Sequence, residues 1–176
     1  MGATFIEPKA LEGFTVKQNI VFAKPGVKEL MYDVFTPNGA RNLPAIVIIH
    51  GGGWTGGDKG AAREINIGTN LALNGYVGLS INYVLASTNY KAGKPAWPQN
   101  LHDCKTAVRW LRKNAERLQV NPDRIGVIGG SAGGHLALFA SGTQNMPEFE
   151  GSNGTPGVPT NLAGCLAYYA VTGGDW

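Results

Sequence analysis

The sequence predicts an α/β fold: a mostly parallel sheet with helices on both faces. Short runs rich in β-branched residues alternate with longer stretches at helical spacing from residue 45 onward, the pattern of strand–helix–strand units. Two of the runs, "AIVIIH" (45–50) and "RIGVIGG" (124–130), are apolar without alternation, as strands covered on both faces are. Each is followed by a glycine cluster, "HGGGWTGGDKG" and "GGSAGGH", that leads toward a helix.

Taken in order, "FTVKQNIVFA" (14–23) and "ELMYDVFTP" (29–37) are separated by "KPGV" and read as a strand hairpin. After the strand at 45–50, "AAREINIGTNLALNG" (61–75) carries apolar residues near helical spacing and stops at Gly75, a good helix end. "YVGLSINY" (76–83) is a second buried strand. "PQNLHDCKTAVRWLRKNAERLQV" (98–120) aligns Leu101, Cys104, Ala107, Val108, Leu111 and Leu118 on one stripe of an amphipathic helix. The strand at 124–130, the helix "AGGHLALFASG" (132–142) and a last strand within "LAGCLAYYAVTGGDW" (162–176) complete the order. No internal repeat is visible.

Composition narrows the function classes. With 43% apolar and 15% charged residues in 176, the chain is expected to be a globular protein of one domain. Its net charge of +3 is spread among acids, which argues against nucleic-acid binding. The start "MGATFIEPKALEG" has no signal-peptide core, and no window is long and apolar enough to span a membrane, so a soluble protein is expected, cytoplasmic or secreted with its signal removed. Cys104 and Cys165 lack metal-site or disulfide spacing and read as buried free thiols; no metal and no cofactor are expected.

The chemistry lies in the glycine clusters. Gly129-Gly130-Ser131-Ala132-Gly133 fits G-x-S-x-G between a strand and a helix, where small neighbours permit a sharp turn that lifts the Ser131 hydroxyl above the sheet. The first amides of the following helix, beginning at Ala132, would face an attacked carbonyl. His50-Gly51-Gly52-Gly53-Trp54 follows the neighbouring strand, and the N–H groups of Gly52 and Gly53 can approach an oxyanion unobstructed. Gly51, Gly53 and Gly56 also fit G-x-G-x-x-G, but "SINYVL" supplies Asn82 and Tyr83 where a dinucleotide site needs an acid, and no P-loop pattern is present. Residues 84–98 follow the carboxyl end of a strand and are placed for substrate, with Tyr90 and Trp97 reading either as ordinary loop aromatics or as substrate contacts; residues 144–161 return at the opposite rim.

"HGGGWTGGDK", "INYVLA", "PQNLHDCKTAVRWLRKNA" and "NPDRIGVIGGSAGGHLAL" together resemble the α/β-hydrolase esterases related to hormone-sensitive lipase, most of all the bacterial carbohydrate esterases that include acetylxylan and feruloyl esterases. Trp54 and Gly130 favour that branch, whereas Val84 stands where relatives often carry Arg. The resemblance implies a serine carboxylic-ester hydrolase in which Ser131 forms an acyl-enzyme, Gly52, Gly53 and Ala132 hold the oxyanion, and His50, Trp54, Gly129 and Gly133 support the turn and loop. It implies a small acyl or feruloyl ester, with a carbohydrate as one choice of alcohol. An arylformamidase-type amide hydrolase, similar through its "HGG-x-W" motif, is one alternative, and a hydrolase remnant acting as a binding module is another.

The resemblance also implies a triad acid and histidine on loops after a seventh and an eighth strand, whereas residues 1–176 resemble only the first six. The chain then reads as the N-terminal portion of a single, incomplete α/β-hydrolase domain, nearly inactive alone, its sixth strand an apolar edge for a C-terminal part or a self-dimer. Within the chain, His135 lies one helical turn after Ser131 and is expected to be a core or supporting histidine. His102 and Asp103 read as helix-start and packing residues, His50 as a brace for the glycine loop, and Asp175 as a residue that could approach the site but would need a histidine partner.

Overall fold

The computed structural model describes residues 13–26, 29–86 and 96–173. Six strands, β1 (Phe14–Ala23), β2 (Leu30–Pro37), β3 (Leu43–Ile49), β4 (Val77–Ile81), β5 (Val120–Gly130) and β6 (Gly164–Tyr168), form one sheet in the order β1-β2-β4-β3-β5-β6. β1 and β2 pair antiparallel, as do β2 and β4; the pairs β4–β3, β3–β5 and β5–β6 are parallel. The expected hairpin and the expected mostly parallel sheet are both present.

Helix α1 (Ala62–Leu73) buries Glu64, Gly68 and Ala72, one stripe at a spacing of four, against the sheet. A Cβ at Gly68 would lie 2.4 Å from the ring of Phe35, so this glycine lets the helix lie close on β2. The helix stops at Asn74, where the Gly75 N–H bonds Ala72 and the Tyr76 N–H bonds Leu71, with Gly75 at φ +82°, a left-handed C-terminal cap. Phe35 packs toward α1 with Phe14 and Ala72. Its neighbour Val34 points to the other face and joins the main core with Leu79, Val47 and Val127.

On that face lie α2 (Gln99–Lys113) and α3 (Ala132–Gly142), the first of which buries Leu101, Cys104, Ala107, Val108 and Leu111. α2 is shorter than its apolar stripe predicts. It ends at Lys113, and Leu118 reaches the core from the turn that follows, where Gln119 takes φ +61°. β5 begins four residues before its apolar run because Val120 already pairs with Leu43 ahead of an irregularity. Cys104 is a buried free thiol as expected, whereas Cys165 is only half-buried, because β6 is an edge strand.

Two cations on α2 are buried. Lys105 gives its ammonium to the Thr143 carbonyl (2.6 Å) and to Glu150 (2.8 Å); Arg109 gives its guanidinium to the Glu150 and Asn153 carbonyls (2.8 and 3.1 Å) and to the Glu150 carboxylate (3.2 Å). Residues 144–161, which include the one-turn helix α4 (Pro147–Glu150), are therefore fastened to α2 by charge-assisted bonds.

Among the described residues β6 is an edge strand of the sheet, with Leu166 60% exposed. Between β6 and α1 lies a groove of about 400 Å³ whose lining includes Ile46, Leu71, Tyr76, Ile128 and Leu166. No helix among the described residues is long and apolar enough to cross a membrane.

Candidate active site

The two glycine clusters meet at the carboxyl ends of β3 and β5. Ser131 sits between β5 and α3 at φ +55° and ψ −125°, a conformation costly for a residue with a Cβ and typical of constrained functional turns. Its N–H donates to the Tyr168 carbonyl (3.3 Å), its carbonyl accepts from His135 N–H (3.0 Å), and the residue is half-exposed. A Cβ at Gly129 would lie 2.2 Å from the Gly133 carbonyl oxygen, and one at Gly133 would lie 2.1 Å from that of Ile49 and 2.6 Å from that of His50. So Gly129 allows the tight turn, and Gly133 allows the first turn of α3 to press on the end of β3.

The 50–57 loop completes the contact. The Cβ position of Gly51 is 2.9 Å from the Gly130 carbonyl oxygen and 3.4 Å from Ser131 Cβ. Gly52 adopts φ +116° and folds the loop, its carbonyl accepting from Thr55 and Gly56 N–H (3.1 and 3.0 Å). Gly52 and Gly53 are exposed, and among the described residues no backbone carbonyl takes either N–H. Ala132, fully buried, is the first residue of α3, whose leading N–H groups have no partner within the helix.

His50 is 2% exposed, its ring stacked on Tyr83 at 4.3 Å and its Nδ1 2.7 Å from the Gly51 carbonyl oxygen. A carbonyl only accepts, so Nδ1 carries the proton. Burial holds the His50 pKa below the ordinary value, which keeps the ring neutral near pH 7. Tyr83 Oη donates to the His50 carbonyl (2.9 Å). His50 therefore makes one bond within the loop and one stack beneath it.

Trp54 adopts φ +57° and meets His135 edge to face at 5.3 Å. His135 is half-buried, its Nδ1 2.8 Å from the Val171 carbonyl oxygen. Trp54, His135, Phe139, Trp97, Ala86, Ala96 and Asn100 line a cavity of about 570 Å³, mostly apolar, one helical turn from Ser131. Trp97 therefore lines this cavity. Tyr90 and Asp175 lie outside the described residues.

Asp103 is buried and accepts from the Val84 N–H (2.9 Å) and Gln99 Nε2 (2.6 Å). It fixes the chain just after β4, in line with its reading as a packing residue; Val84 itself is buried there. His102 packs under Gly151 and its pKa is lowered by burial. Among the described residues no group of three or more His, Cys, Asp or Glu could hold a metal ion.

Sequence reasoning missed Arg63, Glu64 and Tyr169. Arg63 Nη1 donates to Tyr169 Oη (2.5 Å), while its Nε and Nη2 donate to the buried Glu64 carboxylate (2.9 and 2.5 Å). The only local signal was a cation in the first turn of a helix, where the dipole disfavours it.

The family model BD-FAE matches residues 32–170, a stretch that contains both glycine clusters. The chain belongs to the BD-FAE family. It has the α/β-hydrolase fold: a structure titled as the truncated form of a carbohydrate esterase from gut microbiota superposes with a TM-score of 0.78 at 26% identity, over 93% of this chain and 60% of that one. A thermophilic esterase of Thermogutta terrifontis, Est2, superposes with a TM-score of 0.69 at 30% identity, over 88% of this chain and 52% of that one. Among curated proteins, esterase LipQ of Mycobacterium tuberculosis is 31% identical over 84% of this chain and 34% of its own length. Esterase LipC of the same organism is 35% identical over 62% of this chain and 26% of its own length. The chain therefore spans about a third or less of these curated relatives.

Proposed function

We infer that the chain carries the nucleophile half of a serine carboxylic-ester hydrolase. The observation that supports this most is the interlock of the two glycine clusters. It sets a strained, half-exposed Ser131 against a loop whose Gly52 and Gly53 N–H groups no backbone carbonyl occupies among the described residues. In the proposed reaction Ser131 Oγ attacks the ester carbonyl carbon, and its proton passes to a histidine base. The Gly52, Gly53 and Ala132 N–H groups bind the oxyanion, the alcohol leaves with that proton, and water then hydrolyses the acyl-enzyme. His50 and Trp54 support the loop, while Gly129 and Gly133 support the turn.

None of the three histidines suits the base. His50 is buried and bonded within its own loop, His135 gives its Nδ1 to Val171, and His102 packs under Gly151. The reading therefore requires a histidine, and the acid that orients it, from polypeptide other than these residues. The open side of the sheet suits the same addition. The groove between α1 and β6, apolar and beside an edge strand, fits a strand and an amphipathic helix of a longer polypeptide. A chain that is dimeric by light scattering even with that polypeptide attached would assign the surface to a second copy instead.

The substrate proposed is an ester of a small or aromatic acyl group, feruloyl included, with a carbohydrate as the alcohol. The cavity lined by Trp54, Phe139 and Trp97 favours an apolar, ring-sized portion beside Ser131. Esterase 2 of Thermogutta terrifontis is phosphorylated by paraoxon, a precedent for covalent capture with that reagent. The protein from its full reading frame should hydrolyse p-nitrophenyl acetate and lose that activity on Ser131→Ala. If N-formylkynurenine is cleaved and the acetate is not, the amide-hydrolase reading replaces this one.

A further inference from the structure

Two residues beside Ser131 break local rules in the same place. Arg63 occupies the first turn of α1, where a positive charge opposes the helix dipole and is offset by Glu64 in the same turn. Tyr169, just past β6, takes φ +39°, a left-handed conformation rare for a bulky aromatic residue. Although 106 positions apart, they are joined by the Arg63–Tyr169 hydrogen bond. Such conflicts between local preference and observed place concentrate at functional sites.

The pair stands close to the serine. The Cβ position of Gly51 is 3.3 Å from Arg63 Nη2 and 3.4 Å from Ser131 Cβ, which puts these two atoms no more than 6.7 Å apart. The Cβ position of Gly130 is 2.8 Å from Tyr169 Oη. A side chain at either glycine would fill the space that Arg63 and Tyr169 occupy. Neither residue lines the apolar cavity of Trp54, His135 and Phe139, so the polar pair is separate from that cavity.

The donor count says what the polar side could hold. Of five guanidinium N–H groups, Nε and one on Nη2 go to Glu64, and one on Nη1 goes to Tyr169, which leaves one on each Nη. Tyr169 accepts through its oxygen, so its own proton remains to be given. Arg63 is 38% exposed at the side chain and Tyr169 63% exposed, so none of the described residues covers these donors. Glu64, 2% exposed, cancels the guanidinium charge. The cluster thus offers directed donors without net charge, which suits neutral hydroxyl and ether oxygens better than an anion.

We propose that Arg63 and Tyr169 form a hydrogen-bonding subsite that selects esters whose alcohol portion carries neutral oxygen acceptors, such as a sugar. This rests on the esterase reading. The test uses the protein from its full reading frame and two acetates that differ only in the alcohol: a mono-O-acetylated methyl xyloside and phenyl acetate. Tyr169→Phe should lower the ratio of kcat/KM, xyloside over phenyl ester, about fivefold, the effect of one hydrogen bond, with the loss mainly in the xyloside KM. Arg63→Lys keeps a charge opposite Glu64 but loses the fork, and should lower the same ratio about tenfold. A ratio that stays within twofold of wild type in both variants, or both esters failing in parallel, overturns the subsite while leaving the esterase reading intact. Wild-type protein that cleaves phenyl acetate but not the xyloside also overturns the subsite alone. Wild-type protein that cleaves neither ester overturns both.

Discussion

Gly133→Ala isolates the contact between the two glycine clusters. The added Cβ would start 2.1 Å from the Ile49 carbonyl oxygen and 2.6 Å from that of His50, both main-chain atoms of the strand that carries the glycine loop. Neither can rotate away, so restoring a contact of ordinary length needs a relative shift of about 1 Å between the start of α3 and the end of β3; a misplacement of that size costs on the order of 10²-fold in turnover. The overpacking itself should cost about 2–3 kcal/mol, the upper part of the usual range, because backbone and not a side chain must yield. Gly142→Ala is the control, since a Cβ there meets nothing within 4 Å and an alanine near the helix end removes chain entropy. Initial rates on p-nitrophenyl acetate and thermal melts of both variants of the protein from its full reading frame would read the two effects. We expect Gly133→Ala to lose about 10²-fold in kcat and to melt lower, and Gly142→Ala to keep its rate and melt no lower than wild type. If Gly133→Ala kept its rate within threefold, the catalytic geometry would not depend on this contact and the reasoning would be refuted.

Other perturbations probe separate parts. Glu150 lies between the buried Lys105 and Arg109; burial pushes its carboxyl up, but hydrogen bonds from Lys105 and Thr160 and the two cations outweigh this and hold its pKa below the ordinary 4.5. A depressed carboxylate stabilises the fold above its unfolded pKa, and that stability is lost as pH falls through the folded value. Glu150→Gln should therefore cost about 2–4 kcal/mol at pH 7, and the gap from wild type should narrow on acidification below about pH 4 in denaturant titrations. A gap that is constant with pH would contradict the charge argument. Trp54→Ala opens the apolar cavity and should raise KM for aromatic acyl esters more than for acetates, about tenfold in the ratio for a lost ring contact; equal changes in both substrates would remove the cavity from the acyl site.

What the sequence disclosed and what it hid follow from the range of the interactions. The strands at 45–50 and 124–130 were legible because burial on both faces leaves continuous apolar runs. The glycine clusters were legible because close backbone approach has one residue type that permits it. The end of α2 was misread because Leu118 keeps its apolar contact from a turn and not from a helix. The clamp of Lys105 and Arg109 on Glu150 joins residues 45 and 41 positions apart, and Arg63 meets Tyr169 across 106. No periodic pattern records such pairings, and a buried cation on a helix looks in sequence like any exposed one.

The central claim is that Ser131 is the nucleophile, and covalent capture tests it most directly. The protein from its full reading frame, treated with paraoxon and digested, should carry one diethylphosphoryl group on the peptide containing Ser131, and Ser131→Ala should carry none. Modification at another residue with Ser131 untouched, or an undiminished esterase rate in Ser131→Ala, would contradict the account.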